Sequence, residues 1–247
     1  METVFKLIDV SVSFVQHDFK PRSLKHALAH FFTEQHQERF PALSKVSLSI
    51  AEGEHVGIIG RNGAGKSTIL RVMTRVIMPQ EGGVFTNNRK HIVPLLELGI
   101  GFQPDLSGRE NCYLAGILMG YSKAEMARKM DGIIEFSELG AFFDRPVRGY
   151  SSGMYARLAF ALATDVQPEV LLVDEVFGVG DEFFMRKCID RMHQLMKAGT
   201  TTVFVSHDLD FLVTQCSRMI WLEKGRLVMD GSPQDVVRAY RGFEAAA

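Results

Sequence analysis

Residues 60–68 read GRNGAGKST. The spacing Gly, four residues, Gly-Lys-Ser is that of a phosphate-binding loop. Gly60, Gly63 and Gly65 let the backbone curl and aim successive N–H groups at phosphate oxygens, where a β-carbon would obstruct. A helix is predicted to start near Gly65, its unpaired amides and dipole favouring an anion. Lys66 then reaches the β- and γ-phosphates, and the Ser67 hydroxyl is placed to ligate Mg²⁺. Arg61, Asn62, Ala64 and Thr68 complete the stretch whose backbone surrounds the phosphates. Upstream, residues 55–59 (HVGII) read as a short buried strand; downstream, residues 67–76 carry helical apolar spacing at Ile69, Leu70 and Val76. Strand, loop and helix together are the context a nucleoside triphosphate site requires.

The remaining composition narrows the setting. A chain of 247 residues can bury one large core, or one core carrying a subdomain. With 28 basic and 29 acidic residues there is no overall field to attract nucleic acid or an anionic membrane. Cys112, Cys188 and Cys216 are odd in number, widely spaced and without a paired metal-ligand pattern, so they read as buried reduced thiols of a cytosolic protein. The first residues, METVFKLIDV, have no basic segment followed by an apolar signal core, and no run approaches the length of a membrane span.

Outward from the loop, residues 4–14 and 43–50 alternate as strands of an antiparallel edge sheet. Between them, residues 23–40 place Leu24, Leu28, Phe31 and Phe32 on one face of an amphipathic helix. His26, His30 and His36 in this stretch have no supporting carboxylate or cysteine cluster, so they read as solvated or interfacial side chains rather than metal ligands. Pro79, Gly82 and Gly83 mark a turn, and residues 91–98 a buried strand. Residues 108–119, 123–138 and 152–163 carry apolar side chains at three- and four-residue spacing, with Ser122 a cap for the second, so the middle third is a helical subdomain. Strand 170–173, helix 183–197 and strand 201–205 then alternate as in a parallel sheet covered on both faces. Residues 220–223 and 226–229 flank Lys224-Gly225 as a hairpin, and Pro233 opens a last helix over 234–240.

Two carboxylates follow the buried strand in VLLVDE, residues 170–175. Adjacent acids there take different tasks: Asp174 holds the Mg²⁺ shell, and Glu175 polarises the attacking water. Strand 201–205 ends in Ser206-His207, and a histidine at the carboxyl end of a parallel strand lies where ligands bind. From there His207 reaches the γ-phosphate.

YSSGM, residues 150–154, followed by YARLAFALAT, is similar to the signature motif of ATP-binding cassette (ABC) ATPases. The order of motifs also matches: phosphate loop, signature, Asp-Glu pair, a D-loop resembling Val179-Gly180-Asp181, and a switch histidine, His207. That resemblance implies an α/β fold with a RecA-like core, an antiparallel β edge subdomain and an inserted α-helical subdomain. The implied boundaries are 1–98 and 164–247 for core and β subdomain, with an insertion at about 17–40, and 99–163 for the helical subdomain. It further implies ATP and Mg²⁺ as ligands and a head-to-tail homodimer. In that dimer Ser151, Ser152, Gly153 and Met154 of one copy complete the nucleotide site of the other, with Met154 standing where the family has glutamine. The amide cluster before a helix gives this a physical basis.

The spellings YSSGMYARLAFA, LLELGIGFQPDLSGREN and DEVFGVGDEFFMRKC resemble the ATPase subunits of bacterial polysaccharide exporters. This implies export of O-antigen, capsule or teichoic acid at the cytoplasmic face of the inner membrane, through a pair of separate permease chains that contact the polymer. The insertion before the second strand resembles a helix these exporters place near the membrane entrance. In the Q-loop role Glu97 is favoured over Gln103 as the contact to metal or water. Phe14, Phe19 and Phe40 all qualify to stack on adenine. Only RGFEAAA follows Tyr240, so no appended carbohydrate-binding domain is expected. The competing class, an ABC ATPase acting on DNA or ribosomes, usually carries paired cassettes or a long coiled coil; here there is one cassette, no sustained heptad repeat and no net positive charge.

Overall fold

In the computed structural model, residues 2–15, 39–95, 101–174 and 181–246 are described. Among them the elements in chain order are β1 (Thr3–Val15), β2 (Arg39–Ala51), β3 (His55–Ile59), α1 (Lys66–Met73), β4 (Glu81–Thr86), β5 (Ile92–Leu95), α2 (Gly108–Leu118), α3 (Lys123–Ser137), α4 (Ser152–Asp165), β6 (Val170–Asp174), α5 (Glu182–Lys197), β7 (Thr201–Val205), α6 (Leu209–Gln215), β8 (Arg218–Glu223), β9 (Arg226–Gly231) and α7 (Pro233–Ala246).

The central sheet has the order β5-β6-β7-β3-β8-β9. Its neighbours run parallel except the final β8-β9 hairpin. Because strand side chains alternate between faces, each short apolar strand feeds two cores. Val170, Leu172, Val203, Val205, Ile220 and Leu222 pack on one face with α1 and with β1 and β2. Leu171, Val173, Phe204, Met219 and Trp221 pack on the other with Met126, Met130, Ile133, Phe136, Leu158 and Phe160 of the helical region. The helical subdomain therefore has no separate core; its apolar face is continuous with one side of the central sheet.

Helix boundaries follow local chemistry. Ser107 and Ser122 each form a capping box, with Glu110 and Glu125 respectively closing the reciprocal bond. Asp181 and Asp208 cap α5 and α6 by accepting the N–H groups of Phe184 and Phe211 at 2.9 Å.

Three expectations are corrected. The stretch with Gly82 and Gly83 is not a turn but part of β4, which joins β1 and β2 in a three-stranded antiparallel sheet of order β2-β1-β4. Gly83 is the register partner of Ile8, and a β-carbon on Gly82 would lie 2.4 Å from the Ile8 and Asp9 carbonyl oxygens. Glycine here serves close backbone approach at an irregular edge, not chain reversal. Arg39 and Phe40, expected in the amphipathic helix, begin β2, because they pair in register with Val15 and Phe14. The rest of that predicted helix, with His26, His30 and His36, lies outside the described residues. Finally, α1 stops at Met73: Thr74 Oγ1 donates to the Leu70 and Arg71 carbonyls, Arg75 takes φ 58°, and Val76 is exposed rather than packed.

Candidate functional site

The loop at 60–68 starts where β3 ends and runs into α1, as its sequence requires. Gly60, at φ 147°, lies so close to β8 that a β-carbon would be 2.1 Å from the Leu222 carbonyl oxygen. Gly65, at φ 104°, is the residue preceding α1, and a β-carbon there would be 2.5 Å from the Ala42 carbonyl oxygen. No side chain caps this helix, so its first amides are left to a ligand. Lys66 is 6% exposed and donates to the Gly60 and Arg61 carbonyls at 2.9 and 3.2 Å. Arg61, Asn62 and Gly63 are exposed, whereas Ala64 is buried. This is a backbone cradle with one buried cation, suited to a polyphosphate.

Sheet register brings further site residues to the same edge. Asp174, the last residue of β6, pairs with Val205, the last residue of β7, and Ile58 of β3 pairs with that same Val205. The carboxyl ends of β6, β7 and β3 thus lie side by side, with Asp174, His207 and the glycine loop continuing from them. Ligands bind at this edge of open α/β sheets. His207 is exposed, and Asp208 behind it caps α6, fixing the chain where it leaves the sheet. Glu175 and Glu97 lie outside the described residues. Among those described, no group of three or more His, Cys, Asp or Glu could by itself hold a metal ion. Mg²⁺ keeps several waters and takes one or two protein oxygens together with phosphates, so a site for it would need no such cluster.

Ser151, Ser152, Gly153 and Met154 open α4 in the helical region. The Ser151 hydroxyl accepts the Met154 N–H at 3.2 Å, and both serines are exposed. They face outward from a different element and share no strand edge with the glycine loop. Gln103 is exposed, and its backbone N–H donates to Asn111 Oδ1 at 2.6 Å. Asn111 is an organising residue that sequence reasoning missed: fully buried, its Nδ2 also donates to the carbonyls of Gln103, Leu106 and Ser107, so it folds the loop before α2. A lone asparagine on a helix face carries no signal for such a role.

Phe14 and Phe40 are cross-strand partners at the end of β1-β2, 44% and 57% exposed. Two residues beyond Phe40, Ala42 touches Gly65 and Gly225, and the Gly225 N–H donates to the Ala64 carbonyl at 3.0 Å. On β2 it is Ala42, not either aromatic, that the structure brings against the phosphate loop. Phe19 lies outside the described residues.

Residues 43–178 match the family described as ABC transporter. The chain belongs to the ABC transporter family. This ABC protein binds nucleotide and is an ATPase. It is 48% identical over 81% of its length to the O-antigen export system ATP-binding protein RfbB of Myxococcus xanthus, of which the match spans 45%. It is 45% identical over 82% of its length to the protein of that name from Klebsiella pneumoniae, covering 82% of it. The teichoic acids export ATP-binding protein TagH of Listeria monocytogenes is 39% identical over 85% of the chain and is covered over 62%. A solved dimeric ATP-binding cassette bound to ADP and Pi superposes with a TM-score of 0.75 at 24% identity, over 93% of this chain and 99% of that one. The superposition establishes the ABC cassette fold. Among the described residues, no helix of this ABC protein is long and apolar enough to cross a membrane.

Proposed function

We propose that this chain is the ATP-hydrolysing subunit of a transporter that exports a cell-surface polysaccharide, such as O-antigen or capsule, across the bacterial inner membrane. The observation that carries this reading is the identity of 45–48% over more than four fifths of the chain with two proteins named as O-antigen export ATP-binding proteins. On this reading two copies close head to tail on ATP at the cytoplasmic face of the membrane, and a separate permease pair carries the polymer.

Each part of the site then has a task. Lys66 and the amides at the start of α1 take up the negative charge of the β- and γ-phosphates. Ser67 and Asp174 hold Mg²⁺, which supplies neutralisation of phosphate charge, and Glu97 contacts the metal or its water. Glu175 accepts a proton from the water that attacks the γ-phosphorus while the bond to the ADP oxygen breaks. His207 hydrogen-bonds the γ-phosphate, and one aromatic among Phe14, Phe19 and Phe40 stacks on adenine. Segment 151–154 of a second copy, with Ser151 and Ser152 exposed, completes the phosphate site from the opposite side.

Complementation tests the transport role. In cells lacking this gene, the wild-type chain should restore polymer to the surface, whereas Lys66→Ala should leave completed polymer inside. Equal surface polymer from both would overturn the assignment.

A further inference from the structure

The last carbonyls of α4 are taken up by side chains from elsewhere in the chain. The Tyr121 hydroxyl donates to the Val166 carbonyl at 2.6 Å, and Lys129 Nζ donates to the Asp165 carbonyl at 2.9 Å. Carbonyls at a helix end have no partner within the helix, so donors brought to them from outside fix where it stops and how it is aimed. Tyr121 lies in the turn between α2 and α3, and Lys129 lies on α3. The same tyrosine also reaches the central sheet. Its oxygen lies 3.1 Å from Nδ1 of His91, the residue before β5, and the two rings meet edge to face with centroids 5.0 Å apart. His91 is held in turn: Nε2 donates to the Met119 carbonyl at 2.6 Å, the backbone N–H donates to Glu169 Oε2 at 2.9 Å, and the carbonyl accepts the N–H of Val170, the first residue of β6, at 3.1 Å. The side chain of Asp165 occupies a gap in α3, where a β-carbon on Gly132 would lie 2.9 Å from Asp165 Oδ1.

We infer that Tyr121, with Lys129 and His91, forms a pivot that seats the helical subdomain on the central sheet and aims α4, so that these are positioning residues for segment 151–154 at the far end of that helix. This rests on the proposed function, in which segment 151–154 of one copy acts on nucleotide held by another. Three separate stretches meet at the Tyr121 hydroxyl: the start of edge strand β5, the α2–α3 turn and the link from α4 to β6. The hydroxyl therefore joins sheet and helical region at the place where the chain itself passes from one to the other. Apolar packing is non-directional and does not set an angle, whereas hydrogen bonds weaken steeply off line. The 14 residues of α4 span about 21 Å, so a tilt of about 3° at the Val166 end moves the opposite end by about 1 Å. A misplacement of that size costs a reaction on the order of a hundredfold.

Tyr121→Phe removes the hydroxyl and keeps the ring, and Lys129→Met removes the ammonium and keeps the stem. In the full chain each should lower kcat by roughly ten- to a hundredfold with KM little changed. The loss should also follow the chain that supplies segment 151–154. In dimers mixed with an excess of Lys66→Ala chains, Tyr121→Phe should slow turnover when carried by the Lys66→Ala chain and leave it unchanged when carried by the chain with the intact glycine loop. Equal slowing in both arrangements would contradict the inference. Spin labels on Ala141→Cys in the helical subdomain and Val228→Cys on β9, both exposed, read the pivot directly, the native cysteines being buried. The distance distribution between them, measured without nucleotide, should broaden or shift in both variants. An unchanged distribution would overturn the pivot, as would an unchanged kcat. A wild-type chain without ATP turnover would instead sink the proposed function, and the distance distribution would still decide the pivot.

Discussion

The Lys66 ammonium lies 2.9 Å from the Gly60 carbonyl oxygen, so the first glycine of the loop is tied to the lysine six residues later. The cation proposed to meet the phosphates also holds the bend that presents the amides. Lys66→Ala removes both contributions. A lost charge-assisted hydrogen bond of about 1.5–3 kcal/mol corresponds to roughly ten- to a hundredfold weaker ATP binding. Titration with ATP under non-hydrolysing conditions measures it; affinity equal to wild type would remove Lys66 from the phosphate site.

Gly60 and Gly63 separate two requirements. Both have positive φ, but a β-carbon on Gly60 meets the Leu222 carbonyl, whereas one on Gly63 meets nothing within 4 Å. Gly60→Ala should therefore destabilise the fold well beyond the roughly 1–3 kcal/mol of backbone strain, and Gly63→Ala by no more than that strain. Thermal unfolding of the two variants orders them, and the reverse order would contradict the packing of the loop against β8.

Much of this arrangement was legible because it is local. The strand-loop-helix around Lys66, strand 201–205 and the capped helix after Ser122 each announce themselves within one or two turns of chain, through β-branched runs, glycine spacing or a Ser-x-x-Glu box. What failed was non-local. Gly82 and Gly83 look like a turn until Ile8 is known to lie beside them, and Phe40 looks helical until Phe14 pairs with it. The short helix α6 follows Asp208 with too few residues to show a period. Asn111 and Tyr121 act on partners in loops and helices that only the tertiary fold brings near.

The two faces of the nucleotide site should be separable by mutation. Ser151→Arg places a bulky cation at the exposed start of α4 and loses a helix cap worth about 1 kcal/mol. ATP binding should stay close to wild type while turnover is lost. Mixed with Lys66→Ala chains, it can restore at most one sound composite site per dimer. An affinity loss in Ser151→Arg as large as that of Lys66→Ala would place segment 151–154 at its own nucleotide and contradict the composite site.

The cysteines give a pH prediction. Burial pushes the thiols of Cys112, Cys188 and Cys216 up from 9.0 to about 12. A raised folded-state pKa favours the folded state fully below the unfolded value, and that contribution is lost as pH climbs from about 9 towards about 12. Stability should begin to fall above pH 9, and less steeply in a Cys112→Ala, Cys188→Ala, Cys216→Ala variant. The native chain should also resist thiol-directed reagents at neutral pH and react at all three positions once unfolded. Rapid labelling of the native chain would contradict this burial.

On the proposed function, ATP closes two copies of this chain around shared sites and hydrolysis opens them. Glu175→Gln tests this most directly, because the amide keeps the shape of the side chain but cannot accept the proton of the attacking water. The molar mass of this variant in saturating ATP and Mg²⁺, measured by sedimentation or light scattering alongside bound nucleotide, should be that of a dimer holding two ATP molecules, with turnover nearly abolished. A monomer with ATP bound, or a dimer that hydrolyses ATP as fast as wild type, would contradict the account.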